Sequence, residues 1–442
     1  MLKFNWSPSD LSIGTHGIHY AWVIVAVVSM MRLVSSAIRQ ASSILVPYLA
    51  DPKTFGWSYG SIGFGFTLVW ISSGIFGPPA GWLGDRYGVR RTMVLGSVLF
   101  MGGMVLTGTM THLWQFYLYF GIIMSASMAI FMVPLEMAVT TWFKKHLGVG
   151  MGLLGASQGL GPVVSVPLII LLLNEMGLKW TFWLPGIAGG VILLLLIKFF
   201  HDEPGDMALR PLGASEDEPI HKVQRGSAAS ERSKAFIQHA QRTNTFWNLI
   251  GIHFWGCAGH AIILVFLVAM ADERGVSQGL AAGLYVTLSV VSTITRFVVP
   301  IVADRMGSKG AMTACFLFQS APVLILFFAQ DAWMFYLFAV LFGIGFGGEM
   351  SAFPIINRQY YGNAPLSTAY GWQMLGAMIG MAVGTGLGGF VWDLTGDYNG
   401  TLVISFVLSL VGAISILVLP TTSRPQIPHW EEALSPEARS SA

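Results

Sequence analysis

The run GLYVTLSVVSTITRFVVPIVA, residues 283–303, contains one charged side chain, Arg296. A guanidinium is a planar fork of donors that can hold a carboxylate by two parallel hydrogen bonds. Four more charges lie in apolar runs: Arg32, Arg39, Glu136 and Glu349. Arg32 and Arg39 are seven residues apart, which places them on one face of a helix. The tally of three cations to two anions suits an anionic ligand. His260, in GCAGHAIILVF, titrates near neutral pH when unperturbed, and His253 is the other deep histidine. The implied chemistry is capture of a small organic anion by Arg296, helped by Arg39 and Arg32. Glu136, Glu349 and His260 are the candidates to carry a proton. Each residue also has a purely structural reading: a buried ion pair, a hydrogen-bonded histidine, or, for Arg39, a side chain that snorkels to a helix end.

These groups need a scaffold that is not water-soluble. Of 442 residues, 54% are hydrophobic and 10% charged, and the mean hydropathy is +0.64. A soluble domain carries about 25% charged residues, so the chain reads as an all-α integral membrane protein. A helix needs roughly 20 apolar residues to cross the hydrocarbon. About twelve such runs occur, predicted near 20–48, 58–80, 91–111, 113–141, 148–173, 177–200, 245–270, 278–303, 309–329, 332–355, 367–392 and 400–420; they are spans 1 to 12 below. Arg296 lies eight residues before Asp304, which marks the end of span 8. At 1.5 Å per residue it is about 12 Å deep in a core of roughly 30 Å. An arginine there costs at least about 2.5–3.5 kcal/mol unless it meets a wet cavity or a partner.

Basic residues cluster on one side. Arg86, Arg90 and Arg91 follow span 2, Lys144 and Lys145 follow span 4, Arg305 and Lys309 follow span 8, and Arg358 follows span 10. The opposite loops carry Lys53, Lys179 and Arg274. The positive-inside rule then puts both termini in the cytoplasm and the protein in the cell (inner) membrane. The polar stretch 201–244 reads as a cytoplasmic linker whose end, SERSKAFIQHAQRTN, forms a helix on the membrane face. It separates a first half, 20–200, from a second, 245–420, between tails 1–19 and 421–442. The two cysteines, Cys257 and Cys315, lie in apolar runs and argue against a disulfide framework or a metal site. No metal cluster, phosphate loop or nucleophile–base set is evident, so an enzyme is not expected. The near-neutral charge of +2 marks no nucleic-acid partner. No cofactor is implied, and a monomer in the bilayer suffices. The linker and tail are too short for the appendage of a membrane sensor.

The halves repeat. GWLGDRYGVRR (81–91) is echoed by PIVADRMGSKG (300–310), and LWQFYL (113–118) by AWMFYL (332–337). Asp304 follows Asp85, and Trp333 follows Trp114, at the same offset of 219 residues. The first motif resembles the loop signature G-x-x-x-D-R-x-G-x-R-R of the major facilitator superfamily, matched at Gly81, Asp85, Arg86, Gly88, Arg90 and Arg91, with Asp304, Arg305 and Gly307 in the echo. The resemblance implies twelve helices in two pseudo-symmetric six-helix halves, transport by alternating access, and a loop that latches the halves. Asp85 suits pairing with an arginine or capping a helix N-terminus.

Further stretches resemble the monocarboxylate-transporter-like branch, which includes oxalate/formate porters. They are HYAWVIVAVV (Tyr20, Ala21, Trp22), WFKKHLGVGMGLLGASQGLG (Trp142, Phe143, Lys145, Gly152, Ala156) and DEPGDMALRPLG. In that branch a span-8 arginine binds the substrate carboxylate, which falls on Arg296. Proton-linked animal members carry an aspartate one turn earlier, where this chain has Ser292. The oxalate exchanger has a second cation in span 11, where this chain offers Gln373, with Tyr370 and Trp372 near it as candidate cavity wall. The resemblance thus implies proton-coupled symport of a small monocarboxylate. The rivals are anion exchange of the oxalate/formate type and proton-driven export of drug-like solutes. Exporters usually carry an arginine in span 4 and later glycines after the span-5 Gly-Pro; both are missing here.

Overall fold

The computed structural model describes residues 18–36, 42–220, 226–423, 426–427, 429–436 and 438–439. Arg39 lies outside the described residues. Helices dominate, because a backbone in lipid must satisfy its own N–H and C=O groups. Among the described residues, ten helical segments are long and apolar enough to cross a membrane: Tyr59–Tyr87 (span 2), Val89–Gly108 (3), Leu113–Thr141 (4), Pro167–Phe199 (the end of span 5 and span 6), Asn244–Glu273 (7), Gly279–Met306 (8), Ser308–Leu326 (9), Ala332–Tyr361 (10), Ser367–Thr395 (11) and Asn399–Val418 (12). Span 1 consists of Tyr20–Ser36 and Ser42–Ala50. Span 5 begins at Leu147, and the chain breaks from it into span 6 at Gly177, whose φ of 74° suits glycine. The result is a twelve-helix bundle in two halves. Its perimeter is apolar, with Val98, Leu171, Val191, Val286, Ile294 and Phe390 exposed, as a lipid-facing surface requires.

Between the halves, glycines let backbones touch. On span 5, a β-carbon at Gly152 would meet the carbonyl oxygen of Phe297 at 2.5 Å, and one at Gly155 that of Arg296 at 3.0 Å. This seats span 8, and with it Arg296, against the first half. Spans 2 and 11 meet at Gly77 and Gly371, each against the other's carbonyl. Nearer the basic face, a β-carbon at Gly81 would lie 2.2 Å from the Ser367 carbonyl oxygen and 2.5 Å from its carbon. Backbone atoms in a helix terminus cannot move aside locally. Gly81→Val is therefore expected to force this face open. Spin labels at the basic-face ends of spans 2 and 11 should report a longer distance in the variant; an unchanged distribution would refute the close-packing argument.

The helix Ser227–Ala240 lies across the basic face with Ser233, Phe236 and Ala240 buried. Phe236 packs edge-on against Tyr361 and Trp430. The Arg232 guanidinium covers Trp430 and pairs with Glu431 at 2.5 Å.

Candidate functional site

The loop motif forms a set of helix caps. Asp85 accepts from the backbone N–H groups of Ser367 (3.2 Å) and Thr368 (2.8 Å) and from the Thr368 hydroxyl (2.6 Å). A carboxylate there satisfies orphan donors and complements the dipole of span 11. The echo does the same in reverse: the Gly148 N–H donates to Asp304 Oδ2 at 2.9 Å, at the start of span 5. Each cap reaches into the opposite half. Gly88 and Gly307, with φ of 88° and 91°, make the turns into spans 3 and 9. Arg86 lies over the rings of Trp82 and Tyr87. The side chains of Arg90, Arg91 and Arg305 are exposed.

A third cap was not legible as a functional residue. Asp202 Oδ1 accepts from the Arg90 N–H at 2.7 Å and closes the start of span 3. The DEPG phrase was the available signal. Glu203, next to it, is half-buried, and desolvation pushes its carboxyl above the usual range although Arg358 and Arg232 act against this.

Deep in the bundle the charges sort into pairs. Arg32 Nη1 donates to Glu136 Oε2 at 2.7 Å, and both residues are buried. With its amide oxygen turned toward the guanidinium, Gln158 accepts from both Arg32 nitrogens at 2.9 and 3.0 Å. Tyr370 is buried close to this pair. Arg32, Ser35, Ser36, Met128, Phe131 and Gln158 line a small cavity beside this pair. Gln158 is thus part of the site, though its sequence context carried no charge to flag it.

The second pair lies in the other half. His260 Nδ1 is 2.8 Å from Glu349 Oε2, and its Nε2 is 3.1 Å from Met381 Sδ. Glu349 is fully buried, and its Oε1 has no hydrogen-bond partner among the described residues. Cys257 Sγ, the His260 ring and the Glu349 carboxylate lie within 4.8 Å of one another.

Arg296 is the remaining cation. Among the described residues no carboxylate lies within ion-pair distance of it, and its one side-chain hydrogen bond runs from Nε to Ser292 Oγ at 3.3 Å. Its guanidinium rests on the Phe346 ring, 5.3 Å from the centroid, and it is partly exposed. Arg32, Glu136 and Glu349 are its charged neighbours. With Glu136 and Glu349 each held by a partner of their own, Arg296 keeps a positive charge with its fork ends open. Gln373 is fully buried and exchanges two 2.8 Å hydrogen bonds with Asn357, and Trp372 faces Trp247.

The sequence profile of the Major Facilitator Superfamily matches residues 28–319 and 249–441. The oxalate:formate antiporter of Oxalobacter formigenes is 24% identical over 426 residues, 94% of each chain. Monocarboxylate transporter 2 of Meriones unguiculatus is 25% identical over 79% of this chain and 75% of its own. Among solved structures, the proton:xylose symporter XylE bound to 6-bromo-6-deoxy-D-glucose superposes with a TM-score of 0.74 at 14% identity, covering 94% of this chain and 99% of that one. FucP in the outward conformation gives 0.68 at 19% identity, covering 90% and 99%. The sugar transporters share the fold; the antiporter and monocarboxylate transporters match the branch that the span-1, span-5 and linker motifs resemble. Profile, relatives and architecture agree, and this chain belongs to the Major Facilitator Superfamily of transporters.

Proposed function

We propose that this protein carries a small organic monoanion, a monocarboxylate, across the cell membrane by alternating access, in symport with a proton. The observation that carries the reading is Arg296: a deep, partly exposed guanidinium at the junction of the halves, with no carboxylate in ion-pair contact with it among the described residues. Transporter sites lie at this depth and at this junction. The basic face is the cytoplasmic one, and its caps at Asp85 and Asp304 hold it shut. Rocking of the halves breaks both caps together and opens the cavity inward. The similarity to an oxalate:formate antiporter keeps exchange as the second reading. A monoanion is favoured over a dicarboxylate because span 11 contributes no lysine or arginine to the cavity.

The test is uptake by proteoliposomes loaded with a pH dye and offered a panel of monocarboxylates, with a protonophore control. Internal acidification that depends on the added acid is the expected result. A flat trace together with counterflow of labelled substrate would replace symport by exchange. A flat trace with no counterflow of any acid would reject the anion reading.

A further inference from the structure

Four deep carboxyl or imidazole groups stand among the described residues, Glu136, Glu349, His253 and His260, and their surroundings differ: His253 stacks on Phe353 with no acceptor at either ring nitrogen to hold a second N–H. Glu136 is paired with Arg32, whose guanidinium also donates to Gln158. The carboxylate is the counter-ion of that buried guanidinium, so removing its charge would strand Arg32. Ser292 carries no carboxyl. His260 is different. Both ring nitrogens face acceptors: a carboxylate oxygen on one side, a thioether sulfur on the other. A neutral imidazole has one N–H and leaves one lone pair against an acceptor, whereas an imidazolium satisfies both. Glu349 Oε2 faces the same ring, and its other oxygen gains no donor among the described residues.

We infer that the His260–Glu349 pair, between spans 7 and 10, is the proton-binding site coupled to anion binding at Arg296. The inference rests on the monoanion reading given above. Phe346 links the two sites: the Arg296 guanidinium lies on its face, and the His260 ring meets it edge-on at 4.9 Å. The other titratable groups facing the pair are Cys257 and His253 on span 7, Cys315 on span 9 and Arg296 on span 8. Span 11 presents Met381, which does not titrate.

Charge accounting gives the coupling. With the cavity empty and the pair deprotonated, Arg296 and Glu349 cancel. A proton taken from water onto His260 makes the cavity singly positive and draws in the anion, which restores neutrality. Proton and anion leave together on the other side. An anion without a proton leaves a net negative charge in a low-dielectric enclosure, and a proton without an anion leaves a net positive one. Both are disfavoured in the occluded state. Only the empty and the doubly loaded carrier cross readily, which is symport.

Glu349→Gln separates this from other arrangements. With glutamine there, the anion-loaded cavity is neutral without a proton, and the empty cavity is positive. Counterflow of labelled monocarboxylate should therefore remain measurable in the variant. It should lose the wild-type decline at alkaline pH. Acid-driven net uptake should fall at least tenfold, because the empty carrier cannot return. Glu349→Asp keeps the carboxyl and should restore pH-dependent net uptake; it also serves if the glutamine variant does not fold. Acid-driven uptake retained by Glu349→Gln, loss of counterflow in a folded variant, or pH-dependent counterflow unchanged from wild type would each overturn the assignment. Absence of counterflow in wild type at every pH would overturn the monoanion reading, and this inference with it.

Discussion

Replacing Arg296 by alanine is expected to abolish saturable monocarboxylate uptake while leaving a folded, monodisperse protein. The two halves of this result have separate causes. Removing one partner of a buried charge-assisted contact costs about 2–5 kcal/mol, or roughly thirtyfold to several thousandfold in affinity. Stability should fall only modestly, because no carboxylate among the described residues is in ion-pair contact with Arg296, and Glu349, whose charge Arg296 offsets at longer range, keeps its contact with His260. Ser292 loses only a long hydrogen bond. Arg296→Lys keeps the charge but not the fork, so weak uptake with a raised KM should remain. The measurement is initial uptake against substrate concentration, with size-exclusion profiles of each variant. Wild-type uptake in the folded alanine variant would demote Arg296 to packing and move the anion site elsewhere.

The opposite pattern is expected at Arg32. Its partner Glu136 is buried, so Arg32→Met strands a carboxylate. Breaking such a pair from one side typically costs about 3–5 kcal/mol. Glu136→Gln strands a guanidinium and should cost a comparable amount, less what Gln158 retains. The double variant Arg32→Met with Glu136→Gln should recover most of the loss, since no charge is then left unpaired. Thermal unfolding in detergent checks the order: wild type and the double variant close together, each single variant well below. Additive losses would show that the two residues act independently and that the 2.7 Å contact contributes little.

The sequence carried the fold further than the site. Hydrophobic length located the spans, and two motif pairs at one offset located the repeat, because both signals are local or periodic. The break between spans 5 and 6 falls at Gly177, at the edge of the boundary read from hydropathy. For the site, a charge inside an apolar run is conspicuous, so Arg32, Glu136, Arg296 and Glu349 stood out. Their partners did not. Arg32 and Glu136 are 104 residues apart and His260 and Glu349 are 89 apart, and nothing periodic connects such distances. Gln158 and Asp202 are ordinary polar residues until a guanidinium or a helix terminus is placed beside them. Gln373 is a further case: it exchanges hydrogen bonds with Asn357, and sequence does not fix the helical rotation that turns it there.

The two aspartate caps have a kinetic meaning. A capping contact contributes on the order of 1 kcal/mol, so Asp85 and Asp304 together hold the basic face with about 2 kcal/mol, a ratio near thirty to one. Thermal agitation undoes a fastening of that size on the timescale of ordinary domain motion. A lock many kilocalories deeper would protect the cargo better and strand it for seconds. The two short side chains act on top of the glycine-lined backbone contacts between the halves, and because both sit on helix ends they let go together when those contacts part.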